Sequence, residues 1–106
     1  MTDVLMVFVT CESREQAENI AEKVVGEKRA ACVNVVPAVR SCYVWDGKLT
    51  WSEEVLLVMK TTRSSFEELR RRVEQLHSYD VPEVLGIGVE AGSEKYLEWV
   101  RGGVKP

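Results

Sequence analysis

The chain has one histidine, His77, set in the stretch LHSYDVPEV over residues 76–84. Tyr79, Asp80, Pro82 and Glu83 follow it closely. An imidazole changes charge close to neutral pH and is the commonest metal ligand, so beside acidic residues it could hold an ion or act as a base. The alternative is a helix-end residue hydrogen-bonded to loop backbone. Cys11 is the second candidate. It falls between a predicted strand and a predicted helix N-terminus, a position that lowers a thiol pKa and favours thiolate, a soft-metal ligand. Its alternative is a plain strand-end residue. His77 and Cys11 are therefore the candidate metal ligands. Cys32 and Cys42 lie inside predicted strands, where a free cysteine mostly behaves as a small buried hydrophobe.

Nucleophilic catalysis has less to build on. One histidine allows one triad at most, and no base-and-orienter set accompanies the Ser and Cys residues. No glycine-rich dinucleotide or phosphate-binding motif occurs. Glu53-Glu54 and Glu67-Glu68 read as solvated positions. A non-enzyme is expected, with His77 as a general base the outlying alternative. Asn34, Lys60 and Glu83 are polar residues in or beside apolar strands. Buried polar groups need partners, so these either pair at a subunit interface or line a small pocket.

The chain has 106 residues, enough for one domain spanning 1–106. It is 45% hydrophobic and 29% charged, with a net charge of -3, so no global basic field draws it to nucleic acid or to an anionic membrane. Arg70, Arg71 and Arg72 form a local exception, read as a solvated helix face. Three cysteines without C-x-x-C spacing argue against a disulfide framework and a zinc ribbon. The N-terminus lacks the basic start of a secretory signal, and no apolar run approaches the ~20 residues of a membrane helix. A cytoplasmic protein with reduced thiols is the expectation.

These residues need elements to position them. Asp3–Thr10 is apolar throughout and predicts a central strand. Ser13 with Gln16 predicts a capping box for a helix whose stripe is Ala17, Ile20, Ala21, Val24 and Val25, ended by Gly26. Ala30–Val36 and Arg40–Trp45 predict a strand interrupted at Pro37, which marks a bulge or an edge. Asp46-Gly47 is a strong hairpin signal, and Glu53–Thr61 is the return strand. Tyr43, Trp45 and Trp51 crowd the end of this hairpin. Ser64 with Glu67 predicts a second capping box, before a helix with Phe66, Leu69, Val73 and Leu76 on one stripe. Glu83–Glu90 predicts a strand whose Gly86 and Gly88 mark a close overhead element. Ser93–Arg101 predicts a third helix. The order β-α-β-β-α-β plus a helix is the ferredoxin-like split βαβ order, an α+β fold. Its strands are apolar on both faces, more than one copy can cover, so a tight homo-oligomer is expected.

With these residues in view, the chain resembles the CutA divalent-cation tolerance family nearly end to end. The resemblance rests on EKRAACVNVVP (Ala31, Cys32, Asn34, Pro37), SCYVWDGKL (Ser41, Tyr43, Trp45, Gly47), EVLLVMKTT (Glu54, Lys60, Thr61), LHSYDVPE (His77, Tyr79, Pro82, Glu83) and the late YLEWV. It implies a homotrimer of ferredoxin-like subunits built like the PII signalling proteins, with long hairpins clasping around the threefold axis. It also implies tolerance of, and binding to, copper or another divalent cation, with no organic cofactor. The ligands suggested for some members are a first-strand cysteine and two adjacent histidines. The corresponding positions here read Val9, with Cys11 two residues on, and Leu76-His77, so only His77 carries over. Two functions follow. One is a trimer binding divalent cations through His77 with a nearby thiol or carboxylate. The other is a PII-like regulatory trimer binding a small metabolite or partner protein in inter-subunit clefts shaped by Cys32, Asn34, Tyr43, Trp45, Lys60 and Glu83.

Overall fold

The structure is a computed structural model that describes residues 1–105. The strands are β1 (Val4–Cys11), β2 (Cys32–Trp45), β3 (Lys48–Thr62) and β4 (Leu85–Gly88). The helices are α1 (Arg14–Gly26), α2 (Phe66–Leu76) and α3 (Glu94–Gly102). The strands form one antiparallel sheet in the order β2-β3-β1-β4. This is the predicted ferredoxin-like α+β fold with a long β2–β3 hairpin and a C-terminal helix.

Alternation along the strands divides the sheet into two unlike faces. Leu5, Val7, Val9 and Cys11 of β1 and Val55, Leu57 and Met59 of β3 are buried with Ala17, Ile20, Val24, Leu69 and Val73 of the first two helices. Full burial of each large aliphatic side chain there contributes about 1.5–3 kcal/mol. The opposite face carries Met6, Phe8, Leu56, Val58, Leu85 and Ile87, placed together by the pairings Met6↔Lys60, Phe8↔Val58, Met6↔Ile87 and Phe8↔Leu85. Only α3 lies on this second face, packing Leu97 and Val100 on Val4 at one end. The rest is half-buried or exposed, with Leu85 56% and Ile87 48% accessible.

The hairpin projects beyond the sheet as an arm. The β1–β3 ladder ends at Cys11 opposite Val55, while β2 and β3 stay paired to Trp45 opposite Lys48. Asp46 and Gly47 at the turn have φ of 51° and 75°, the positive values that a type I′ turn needs at both central positions. The predicted irregularity at Pro37 is a bulge between Val36 and Val39, with Ala38 at φ 63°. β2 is an edge strand, so both of the roles anticipated for Pro37 occur.

Several local expectations are corrected. β2 begins at Cys32 rather than Ala30, because the amides of Arg29 and Ala30 bond back to Val24 O at the end of α1. β4 is four residues long rather than spanning Glu83–Glu90, leaving Glu83 in an exposed loop position. The first capping box is half-formed. Ser13 Oγ accepts from Gln16 N at 3.1 Å, but Gln16 Oε1 has no partner. The second is absent: a 3-10 turn, Arg63–Ser65, precedes α2, and its Ser65 cap makes no side-chain bond to the helix. The Thr62, Ser64 and Ser65 hydroxyls bond one another instead, and Ser65 Oγ also donates to Lys105 O. The close approach anticipated at Gly86 comes from Phe66, whose ring would lie 3.0 Å from an added Cβ.

A tighter contact occurs at Gly103, where an added Cβ would sit 2.9 Å from Ala31 Cβ and 3.3 Å from its Cα. Neither neighbour is a flexible side-chain end. Gly103→Ala is expected to destabilise the fold by about 1–3 kcal/mol through overpacking, read as a lower urea midpoint with an unchanged slope.

Two of the three arginines are ion-paired, while Arg71 is exposed. Arg70 donates to Glu67 and Glu74, while Arg72 reaches Glu27 with Nε at 3.0 Å and Nη2 at 2.9 Å. Arg29 Nε also donates to Glu27, at 2.9 Å. Hydrogen bonds from Arg72, then Arg29, hold the Glu27 carboxyl at about 2, below the usual 4.5. A depressed folded-state pKa means this stabilisation is complete above pH 4.5 and is lost as pH falls towards 2. Glu27→Gln is expected to flatten the acid limb of stability in that window and leave it unchanged near neutrality apart from a constant offset. Urea melts from pH 2 to pH 6 at two salt concentrations check this, with the difference shrinking in salt.

Candidate functional site

The arm and the loop after α2 enclose the concave feature nearest the chemistry. Because β1 stops opposite Val55, residues Lys48–Glu54 of β3 have β2 on one side and no strand on the other. The loop following Leu76 fills part of that space. Three consecutive residues fasten it. His77 Nε2–H donates to Thr10 O at 2.7 Å, and Tyr79 N–H donates to His77 Nδ1 at 3.1 Å. Ser78 Oγ donates to Glu12 Oε1 at 3.0 Å. Tyr79 Oη donates to Glu54 Oε2 at 2.8 Å, tying the loop to β3. The His77 and Tyr79 rings pack with centroids 4.7 Å apart.

These bonds assign the imidazole. Both are satisfied together only by the neutral ring with its proton on Nε2, so both nitrogens are committed to backbone. His77 is buried, at 9% exposure. Tyr79 remains a protonated donor: burial first, and the Glu54 carboxylate second, push its phenol well above the usual range.

Cys11 differs from its expected character. It is the buried last residue of β1, and its thiol is pushed up to about 11 by burial, then by the Glu54 and Glu12 charges. The thiolate expected of a helix-start position is therefore disfavoured. Cys42 is exposed on the arm rather than buried, and Cys32 is half-buried. Among the described residues, no group of three or more His, Cys, Asp or Glu is arranged to hold a metal ion. Within one subunit both His77 nitrogens are engaged by backbone groups and Cys11 is buried, so neither presents a free donor at the surface.

The remaining candidates divide between two places. Cys32, Asn34 and Lys60 lie together on the second face. Lys60 Nζ donates to Asn34 Oδ1, and Cys32 Sγ lies 3.9 Å away. Glu83 stands apart in the loop before β4. Tyr43 and Trp45, by contrast, line a cavity of about 440 Å³ with Glu54, Tyr79, Asp80 and Val81. Its last four residues were not picked out as site residues in the sequence. Glu54 was within reach of sequence reasoning. Counting back from the Asp46-Gly47 turn pairs Tyr43 with Thr50 and Val39 with Glu54, which puts Glu54 on the same face as Tyr43.

The fold and the fastened loop define a ferredoxin-like α+β class with an extended hairpin arm. The sequence model of the CutA1 divalent ion tolerance protein family matches residues 5–102. The chain belongs to that family. It is 45% identical over 97 residues to Protein CutA, chloroplastic, of Arabidopsis thaliana, covering 92% of this chain and 53% of that protein. It thus spans about half the length of that relative. It is 43% identical over 96 residues to the Divalent-cation tolerance protein CutA of Thermus thermophilus, covering 91% and 93% of the two chains. The solved Periplasmic divalent cation tolerance protein CutA from Archaeoglobus fulgidus superposes with a TM-score of 0.92 at 34% identity, over 96% of this chain and 99% of that one.

These names describe tolerance of cations rather than a reaction. They also overturn the cytoplasmic expectation, since relatives are named chloroplastic and a structural neighbour is named periplasmic. The shared domain occurs in proteins of different compartments, so its thiols and apolar runs do not encode an address.

Proposed function

We propose that the chain serves divalent-cation tolerance as a non-catalytic, PII-like regulatory homotrimer, and that it senses a small ligand bound between the arm and the loop after α2. The observation that carries this reading is the cavity of Tyr43, Trp45, Glu54, Tyr79, Asp80 and Val81. Its volume of about 440 Å³ falls in the usual range for small-molecule sites. The loop that forms one wall is held by bonds from His77, Ser78 and Tyr79 rather than left free.

Self-association is supported by the second face. Its apolar residues, and Trp45, Leu49 and Trp51 on the arm at 66%, 73% and 55% exposure, are large hydrophobic side chains left in water that association would cover. Copies packed through that face would surround the Asn34–Lys60 pair with partner surface. In this reading His77 is a positioning residue that fixes the loop, and copper or another divalent cation is not held by the His77–Cys11 pair.

A thermal-shift screen of nucleotides, organic acids and amines tests the ligand reading. At least one class is expected to raise the melting temperature of the wild type and to lose that effect in Trp45→Ala. A screen in which no class shifts the wild type would remove the cavity as a sensing site.

A further inference from the structure

We propose that this cavity takes an organic cation, an alkylammonium or guanidinium group on a small apolar body, held against the rings of Tyr43, Trp45 and Tyr79 and the carboxylates of Glu54 and Asp80. The inference rests on the reading of the cavity as a ligand site and names the ligand's chemistry.

Three features support it. First, the lining joins three aromatic side chains to two carboxylates and contains no lysine or arginine. Aromatic faces carry negative charge density and attract cations, most strongly when water is partly excluded. Carboxylates add attraction of the same sign, and neither element favours an anion. Second, much of the lining is apolar, with Val81 and the ring faces supplying surface that a strongly hydrated metal ion would not use. A hydrated divalent cation seeks several oxygen ligands, whereas an alkylated ammonium gains from apolar contact. Third, the same arm already places a cation on a ring. On its opposite face Arg40 Cζ lies 4.7 Å from the centroid of Trp51. The register explains the separation: Tyr43, Trp45 and Glu54 alternate to one face of the arm, Arg40 and Trp51 to the other. The cavity face has equivalent aromatic groups, and although Lys48 stands opposite Trp45 on that face it is not among the lining residues.

Glu54 has a defined part. It accepts from Tyr79 Oη through Oε2, which orients the carboxylate. Its negative charge is not cancelled by an ion pair among those present.

The test is calorimetric titration of the full chain with choline and with its uncharged isostere, 3,3-dimethylbutan-1-ol. Choline is expected to bind about 10-fold more tightly than the alcohol, as a partly desolvated cation over aromatic faces should. Glu54→Gln keeps an acceptor for Tyr79 and removes the charge, and Trp45→Ala removes an exposed ring. Glu54→Gln is expected to weaken choline binding about 10-fold with little effect on the alcohol, and Trp45→Ala to weaken both, choline by about 10-fold and the alcohol less. Circular dichroism melts confirm that both variants are folded. Equal affinity for choline and the alcohol, or choline binding unaltered in both variants, would overturn the proposal. If choline produces no heat while an anionic or neutral compound from the thermal screen binds, the cation assignment fails and the ligand reading stands. If no compound of any class binds, both fail.

Discussion

Val58→Asp is expected to convert a particle of three chains into single chains. Val58 sits near the middle of the second face, between Phe8 of β1 and Asn34 of β2 in the ladder. In one isolated chain that face is partly open to water, so an aspartate there remains solvated and the α1–α2 core beneath is untouched. In an assembly packed through the face, each copy buries an unpaired carboxylate, costing several kilocalories per mole for every ion, as burial of unpaired charge does. Three such costs act on one assembly. Sedimentation equilibrium at low micromolar concentration is the measurement. Wild type sedimenting as one chain would sink the homotrimer and every cleft built from it, whereas Val58→Asp sedimenting as three would remove the second face as its interface.

Removing the imidazole of His77 should cost roughly 2–6 kcal/mol of folding stability while leaving the affinity for Cu(II) unchanged, since two part-buried backbone groups lose partners at about 1–3 kcal/mol each. The groups are Thr10 O and Tyr79 N–H, now satisfied by Nε2 and Nδ1. His77→Ala leaves both unmet at the junction of β1 and the loop, with a void where the ring packs on Tyr79. Urea melts measure the loss, and calorimetry with Cu(II) on the same two proteins measures the affinity. A ligand role makes the opposite forecast: little loss of stability and a large loss of affinity. A large loss of affinity would reinstate His77 as a ligand, and a small loss of stability would remove its fastening role.

These two predictions show where sequence reasoning was sufficient and where it stopped. The order of elements, the turn and the bulge were legible because their signals are local. Asp46-Gly47 requires positive φ, Pro37 cannot donate to a ladder, and the helical stripes of α1 and α2 follow a 3.6-residue period. The failed capping box at Ser64 had the correct spacing, but the Thr62 hydroxyl engages the Ser64 side chain instead. That contact depends on backbone geometry that spacing does not carry. The role of His77 was hidden for a stronger reason. Its partner Thr10 is distant in sequence, and its other bond is made to the loop's own backbone, so the fastening bonds depend on tertiary placement that spacing does not carry. The surroundings of Cys11 were hidden in the same way. The helix start suggested a thiolate, whereas burial and two carboxylates from other parts of the chain act in the opposite direction. Tyr43 and Trp45 were chosen for their aromatic surface, yet the wall facing them, Tyr79 to Val81, depends on where β1 happens to end.

The extra residue at the bulge has one more consequence. Below it the β2–β3 ladder follows the register of the packed sheet, and above it the register set by the turn. The outer segment is thus a two-stranded ribbon, joined to the rest at an irregular point. Such ribbons are marginal in water on their own. Its backbone amides are therefore expected to exchange with solvent deuterium at a rate that rises on dilution, well before those of β1. If copies associate as proposed, neighbouring subunits rather than the subunit's own interior set how long the ribbon stays ordered.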